Sequence, residues 1–173
     1  NTLGNLDVSK NTQLDMLDCS NNNLSSLDVS HNTQLTRLDC SSNTLSSLDV
    51  SKNTQLQKLI CHGNKFSAQA LDDIYCALPD RTSETNGVIQ PVYNSSSSNH
   101  ATVLATNAQN AIDKNWKVQY YYDDTNTLAT TGTYVCGTPH TKPNMSRYIT
   151  LTVAKDSAIK LDFKAAAAGT PVR

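Results

Sequence analysis

The apolar residues in the first part of the chain recur at fixed distances. The phrase LDVS begins at Leu6, Leu27 and Leu48, and the phrase NTQL follows it at the same spacing, so both return every 21 residues. A fixed period of this length is typical of solenoid proteins, in which each repeat forms one coil that packs on the next. The pattern covers residues 3–66 and therefore predicts a solenoid for the first third of the chain.

Each period of 21 residues consists of a 10-residue half and an 11-residue half. Both halves carry L-x-x-L-x-[C/V]-x-x-N, as in the segments that begin at Leu14 and Leu24. Alternate apolar residues of a short strand point to the same side, and a neighbouring coil about 4.8 Å away covers them. The β-branched residues together with Asp, Ser and Asn disfavour helix in both halves. We therefore expect a flattened coil with a short strand on each of its two walls.

An Asn closes each half-repeat. One column contains Asn22, Asn43 and Asn64, and the other contains Asn11, Asn32 and Asn53. Asn side chains commonly bond to nearby backbone groups in turns. We therefore predict that these amides bind backbone groups at the corners of the coils and have a structural role.

Three of the five cysteines, Cys19, Cys40 and Cys61, occupy the same inward position of successive repeats. The chain lacks the C-x-x-C spacing of zinc sites, so we interpret these residues as small buried apolar side chains. Bridging between adjacent coils is the alternative, but it places strict demands on geometry. If a disulfide forms, Cys76 and Cys136 are the favoured pair.

The nested 10 + 11 pattern resembles the IRREKO-type leucine-rich repeats of bacteria. The motif LDVSxNTQLxxLDCSxN is similar to the repeats of secreted or surface proteins of Bacteroidetes, and the resemblance is specific over residues 1–66. It continues more weakly to about residue 135, where LPDR and NAIDKNWKV resemble the segment that ends such arrays. It departs from internalin-like repeats, whose unit is usually longer by one residue. The resemblance implies an α/β, β-rich leucine-rich-repeat solenoid with short parallel strands, and a binding or adhesion role outside the cytoplasm.

The period changes after residue 66. Apolar residues of the segment 68–78 follow helical spacing, Ser67 is a suitable N-cap, and Pro79 stops the run. We predict a strand over 87–93, a second helix near 103–114 and a strand over 116–122. Residues 67–135 would thus form a C-terminal helix/strand cap that continues the sheet of the repeats in β-α-β order.

The last segment, residues 136–173, is expected to open a separate β-rich module that is truncated. Residues 148–153 and 158–163 alternate in the manner of strands around a short turn, which predicts a β-hairpin. Asn1 falls inside a repeat, so we also expect an array cut at its N-terminus. An uncapped repeat exposes strand edges, and end-to-end association with a second copy is therefore expected to be feasible.

Composition and motifs exclude several classes of function. The 173 residues carry a formal net charge of −1 without a basic cluster, which argues against nucleic acid and anionic membranes as partners. A membrane-spanning run of about 18 apolar residues is absent. The chain also lacks a Gly-rich phosphate loop, H-E-x-x-H and G-x-S-x-G. We predict a protein that is not an enzyme, with no catalytic residues, metal site or cofactor.

The two halves of the repeat differ in how much they vary. The 11-residue halves read LGNLDVSKNTQ, LSSLDVSHNTQ and LSSLDVSKNTQ, whereas the 10-residue halves read LDMLDCSNNN, LTRLDCSSNT and LQKLICHGNK. The variation falls on positions that we expect to point outward from one wall, so this wall is the candidate partner-binding surface; drift on a solvated face is the alternative. The candidate residues are Met16, Asp18, Arg37, Asp39, Lys58, Ile60 and His62.

The opposite wall carries a column of carboxylates, Asp7, Asp28 and Asp49, each followed two residues later by a Ser. Stacked carboxylates repel each other, and a bound calcium ion would offset that repulsion, so a calcium site is one interpretation of this column. The segment LDVS lacks the density of oxygen ligands typical of calcium loops, so we favour capping of the backbone by Asp and Ser.

Two classes of function remain. We favour a protein-binding or adhesion module of a bacterial surface or secreted protein; a glycan-binding or purely structural surface module is the alternative. Among the aromatic residues 116–122, strand alternation places Trp116, Tyr120 and Tyr122 on one face, which we interpret as core, and leaves Tyr121 outward. We expect an extracellular or cell-surface location, including the outer membrane, with the periplasm as the alternative.

Overall fold

The computed structural model describes residues 2–123 and 125–138. Five strands and three helices are present in this part of the chain. In chain order they are β1 Met16–Asp18, β2 Arg37–Asp39, β3 Lys58–Ile60, α1 Ala68–Ala77, β4 Gly87–Val92, α2 His100–Leu104, α3 Gln109–Ile112 and β5 Trp116–Tyr120. The β-hairpin predicted within residues 136–173 falls outside the described residues.

All five strands are parallel and form one sheet in the order β1-β2-β3-β4-β5. The inward Leu17, Leu38 and Leu59 lie side by side in the register, and Ile89 and Val118 continue the row through β4 and β5. Each repeat thus contributes one short strand, and the two longer coils that follow extend the same sheet. The predicted fold, a β-rich leucine-rich-repeat solenoid with short parallel strands and a helix/strand cap, is confirmed.

The prediction of a strand on each wall of the coil is wrong. Strands form only in the 10-residue halves, which we call the strand wall. In the 11-residue halves, which we call the LDVS wall, the backbone turns after each Val, and the Asn32 N–H donates to the Val29 carbonyl at 3.0 Å. The Leu35 N–H then donates to the Asn32 carbonyl at 3.1 Å, so successive backbone turns take the place of an extended strand.

The core lies between the two walls and is filled by Leu from both halves. Leu24, Leu38, Leu45 and Leu59 are fully buried, and one cluster of buried side chains continues from the repeats to Leu71 of α1. Burying a large aliphatic side chain stabilises the fold by roughly 1.5–3 kcal/mol before chain entropy is subtracted. Because each coil covers its neighbour, the core is continuous along the repeats.

The Asn columns bind backbone groups of adjacent coils, as predicted. Asn43 Oδ1 accepts from the Leu24 N–H at 2.9 Å, and its Nδ2 donates to the carbonyls of Cys19 at 3.0 Å and Cys40 at 3.1 Å. On the LDVS wall, Asn53 Nδ2 donates to the carbonyls of Val29 and Asn32, both at 2.9 Å. Asn43 therefore joins its own coil to the coil before it, and Asn53 binds the coil before its own, both at buried corners, whereas Asn11 lies at an exposed position.

Helix α1 covers the last repeat and ends as the sequence predicts. Ser67 Oγ accepts from the Ala70 N–H at 3.1 Å at the N-terminus. At the C-terminus, Lys114 Nζ donates to the Leu78 carbonyl at 3.0 Å. A cation at this end of a helix satisfies carbonyls that lack partners within the helix.

The second predicted helix, residues 103–114, is divided into α2 and α3. The Thr106 hydroxyl donates to the Val103 carbonyl at 2.6 Å, and Asn107 Oδ1 accepts from the Gln109 N–H at 3.2 Å. These side chains take the hydrogen bonds that a continuous helix would need, and helical spacing alone did not show this competition.

The cap is closed by a disulfide and by one large aromatic residue. Cys76 of α1 is bonded to Cys136, with Cα atoms 5.5 Å apart, which ties the segment after β5 to the helix. Trp116 is buried, and its Nε1 donates to the Pro79 carbonyl at 2.8 Å. A Cβ at Gly87 would lie 2.4 Å from Trp116 Cδ2, so only glycine fits beside the indole.

None of the helices within residues 2–123 and 125–138 has the length and apolar character to cross a bilayer.

Candidate binding face and aromatic cleft

The outward side chains of β1–β3 form two rows on the strand wall. The strand register aligns Met16, Arg37 and Lys58 in the first row. Asp18, Asp39 and Ile60 form the second row in the same way. Parallel strands separated by about 4.8 Å hold these side chains at fixed spacing. Six of the seven candidate residues therefore lie on one face, and His62 lies two residues after the end of β3.

The accessibility of these candidates differs along the wall. Met16 is 59% exposed, Asp18 is exposed, and Arg37 and Lys58 are partly exposed. Asp39, Ile60 and His62 are buried, so the expectation that they are exposed is wrong. The chain beyond β4 and β5 places Tyr93 and Tyr121 against His62, and the repeat pattern contains no information about that cover. The role of all seven residues in partner binding stays a prediction.

The charged groups on the wall are oriented by local hydrogen bonds. Asp39 Oδ1 accepts from the Ser41 hydroxyl at 2.7 Å and from the Ser41 N–H at 3.1 Å. Arg37 Nη2 lies 4.0 Å from Asp39 Oδ2. The Ser20 hydroxyl and N–H beside Asp18 hold the pKa of that carboxyl below its ordinary value. Asp18 therefore stays ionised at neutral pH and presents a fixed acceptor group.

An aromatic cluster stands at the end of the strand wall, formed by His62, Tyr93, Tyr121 and Tyr122. The His62 ring lies 5.3 Å from Tyr93 and 4.7 Å from Tyr121, measured between ring centroids. The Tyr93 and Tyr121 rings stack at 5.6 Å with an angle of 27° between their planes. Tyr93 is 41% exposed and Tyr121 is 42% exposed, so both keep part of their surface open to solvent.

The sequence interpretation of the aromatic residues is partly confirmed. Trp116 is buried, Tyr120 packs against the core, and Tyr121 is exposed, as predicted. Tyr122 is 76% exposed rather than buried, because β5 ends at Tyr120 and strand alternation ends with it. Tyr93 was not among the candidates; its position one residue after β4, matched by Tyr121 one residue after β5, is a signal that could have identified it.

A cleft of about 810 Å³ runs from the strand wall to the aromatic cluster. Asp18, Arg37 and Asp39 line one part of it, and His62, Tyr93 and Tyr121 line another. Burial lowers the pKa of His62, so its imidazole is neutral at neutral pH. The cleft thus combines ionised and neutral polar groups with exposed aromatic surface.

The loop after Tyr93 forms a further side of the cleft. Ser97, Ser98 and Asn99 line it. Asn99 Nδ2 donates to the Pro91 carbonyl at 3.1 Å, and Asn94 Oδ1 accepts from the Ser96 N–H at 3.0 Å. These bonds fix the course of the loop, so its polar side chains are presented from a defined backbone.

The LDVS wall uses its carboxylates for capping, as predicted. Asp7, Asp28 and Asp49 each accept from the N–H of the Ser two residues later, at 2.8–2.9 Å. The same bond to Ser30 holds the pKa of Asp28 below its ordinary value. Within the part of the chain that the structure describes, no three His, Cys, Asp or Glu side chains are grouped in a way that could hold a metal ion.

The inward cysteines Cys19, Cys40 and Cys61 are buried, and all three are free thiols. Burial raises the pKa of Cys19 to about 11 and that of Cys61 to about 12. Burial also raises the pKa of Cys40, whose Sγ lies 3.6 Å from the Ile60 carbonyl. Thiols of this kind are poor nucleophiles and metal ligands at neutral pH, which agrees with a packing role.

Fold and surface together define a leucine-rich-repeat solenoid that presents a strand wall with an aromatic cleft at its end. No family model matches the chain, and no curated protein matches it. Among solved structures, the chain is similar to the functional domain of InlJ from Listeria monocytogenes, which includes a cysteine ladder. The two are 28% identical, with a TM-score of 0.45 and a match that covers 70% of this chain. The match spans 24% of the length of the InlJ chain.

Proposed function

We propose that this chain is a non-enzymatic protein-binding module of a bacterial surface or secreted protein, with an adhesive role and with repeats of the IRREKO type found in Bacteroidetes. The observation that carries the proposal is that most of the repeat-to-repeat variation falls on the 10-residue halves, including the outward positions of the strand wall. The core and corner residues of the same coils stay nearly constant. A rigid framework with one variable face is the arrangement expected of a recognition module.

The first row of the strand wall supplies suitable chemistry for a protein partner. Met16 offers an exposed apolar side chain, and Arg37 and Lys58 continue the row with two cations. Arg and Met are enriched at protein interfaces, where a few such residues carry most of the binding energy. Because the backbone beneath is paired in a sheet, binding costs little backbone entropy, and the loss of conformational freedom falls on the side chains of the row. A partner with an acidic and apolar patch would complement it.

The double substitution Arg37→Ala and Lys58→Ala tests the proposal. A partner is first isolated from surface proteins, and its affinity for the purified module is then measured by surface plasmon resonance. We expect the double variant to bind at least about tenfold more weakly, since truncating interface anchors costs more than about 1 kcal/mol each.

The matched control is the double substitution Lys10→Ala and Lys52→Ala on the LDVS wall. It removes the same charge from exposed positions of the other face. We expect the control to bind as the unchanged protein does. Equal affinity of the Arg37/Lys58 variant and the unchanged protein would exclude the first row as the binding site.

A further inference from the structure

We propose that the cleft between the strand wall and the aromatic cluster binds a neutral oligosaccharide. This site overlaps the first row of the strand wall only at Arg37, because Met16 and Lys58 do not line the cleft. The inference rests on three features that meet there: partly exposed tyrosine rings, hydrogen-bonding side chains in the same lining, and balanced charge.

The stacked pair Tyr93 and Tyr121 supplies the platform. About two-fifths of the surface of each tyrosine is exposed. The His62 ring packs against both, with centroid distances of 5.3 Å to Tyr93 and 4.7 Å to Tyr121. The Tyr121 N–H donates to the Val92 carbonyl at 3.0 Å, so sheet-like bonding continues to the platform. The C–H groups on one face of a pyranose carry partial positive charge and pack on the negative face of such rings. The platform is thus in place before a ligand arrives.

Polar groups for sugar hydroxyls line the same cleft as the tyrosines. Asp18 and Asp39 are acceptors, and Arg37 is a donor with several N–H groups. Asp39 is held by two bonds to Ser41, which leaves its Oδ2 directed toward Arg37 at 4.0 Å. Hydrogen bonds to charged groups are stronger than neutral ones, and pairs of hydroxyls on a sugar ring fit carboxylate and guanidinium groups.

The balance of charge favours a neutral ligand. Asp18 and Asp39 are offset by Arg37 and Lys65 along the lining of the cleft, and His62 is uncharged near pH 7. An anionic or cationic ligand would therefore gain little from the field of the site. The cleft volume of about 810 Å³ lies within the range of small-ligand sites, roughly 300–1,000 Å³, and suits a short oligosaccharide.

The test uses isothermal titration calorimetry with soluble neutral hexasaccharides of glucose, mannose, xylose and N-acetylglucosamine as separate probes. We expect saturable binding of at least one probe. Tyr93→Ala and Tyr121→Ala should each weaken that binding by about tenfold or more, because each removes stacking area. Tyr121→Phe keeps the ring and should bind within about threefold of the unchanged protein. Both tyrosines are partly exposed, and thermal unfolding of each variant verifies that it is folded.

The control is the double substitution Met16→Ala and Lys58→Ala, which leaves the cleft intact and should not change sugar affinity. This control distinguishes the two proposals. If the variant loses the protein partner but still binds sugar, the two ligands use different sites. Absence of binding for every probe, or binding that the two Tyr→Ala substitutions do not weaken, would overturn the proposal. Loss of a protein partner in Tyr121→Ala without any sugar binding would likewise overturn it and assign the tyrosines to the protein interface.

Discussion

The two walls of each coil come from similar half-repeats but are held by different hydrogen bonds. On the strand wall, neighbouring coils are joined by backbone pairing of β1 with β2 and of β2 with β3. The described LDVS wall has no paired strands; there Asn53 binds the carbonyls of Val29 and Asn32 in the coil before it, and Asp28 caps the Ser30 N–H within its own coil. Amide bonds of the same kind hold Asn43 beside the strand wall, so backbone pairing is what distinguishes that wall, and its outward positions are also among those that vary most.

Backbone pairing does not depend on the identity of an outward side chain. Met16, Arg37 and Lys58 can therefore replace one another in the first row without loss of a bond between coils. A side-chain bond requires the particular side chain, so Asp, Ser and Asn recur at the same positions of the LDVS wall. Residues that recur at the same position of each repeat thus hold the coils together. Outward positions that vary indicate a surface that can change to bind a ligand.

The largest expected effect concerns the Asn columns. Asn43→Ala removes bonds to the Leu24 N–H and to the carbonyls of Cys19 and Cys40 in a buried corner. We expect a loss of roughly 1–3 kcal/mol in the free energy of unfolding, because these backbone groups would lose their partners. Asn53→Ala removes two such bonds and should cost less. Urea denaturation measures both.

The control for the Asn columns is Asn11→Ala, which changes the corresponding amide at an exposed position and should have little effect. An unchanged denaturation midpoint in Asn43→Ala would show that the corner amides do not hold the coils together.

The next effect is a dependence on alkaline pH that belongs to the strand wall alone. The inward position is Cys19, Cys40 or Cys61 on this wall, and Val on the other. Below the ordinary thiol pKa of 9.0, both the folded and the unfolded chain carry neutral thiols. As pH rises from 9.0 toward about 11, the unfolded chain ionises first because burial raises the folded pKa of Cys19. Stability should therefore fall over this range.

Urea midpoints measured at a series of pH values test this effect. The variant in which all three cysteines are replaced by Val copies the residue of the LDVS wall and should lose the thiol contribution. Burial also raises the pKa of Tyr75 above its ordinary value of 10.0, so this residue contributes a decline above about pH 10 in both proteins. A decline between pH 9.0 and about 11 that is identical in the two proteins would contradict the assignment to the thiols.

The smallest expected effect concerns the outward row. Met16→Ala, Arg37→Ala and Lys58→Ala should each change the free energy of unfolding by no more than about 0.5 kcal/mol, as is usual for surface positions without a structural bond. Asp28→Ala is also at an exposed position but removes a cap from the Ser30 N–H, so it should destabilise more than any of the three. Thermal unfolding compares the four variants. Equal changes in the melting temperature of all four variants would mean that solvent exposure, rather than the loss of a hydrogen bond, determines the effect of a substitution.

Most of the framework could be predicted because its determinants are local and repeated. The period of 21 residues, the inward Leu and Cys residues and the corner amides follow from spacing and side-chain chemistry. The Ser67 cap and the β-α-β order of the cap also follow from local signals. The missing strand on the LDVS wall was not predicted, because successive backbone turns between Val29 and Leu35 take its place. The break between α2 and α3 was not predicted, because Thr106 and Asn107 side chains compete for backbone hydrogen bonds.

The candidate site shows which features could not be predicted from the sequence alone. The sequence by itself determined the coil, its core and which wall varies, since these depend on residue type at fixed spacing. Only the tertiary structure decided that Ile60 and His62 are buried, that Tyr93 and Tyr121 stack, and that Asp39 shares a cleft with them. These residues come from separate coils, and their contacts depend on the lengths of the last two coils and the end of β5. Such distances are set by packing between coils, which no repeat of the pattern encodes.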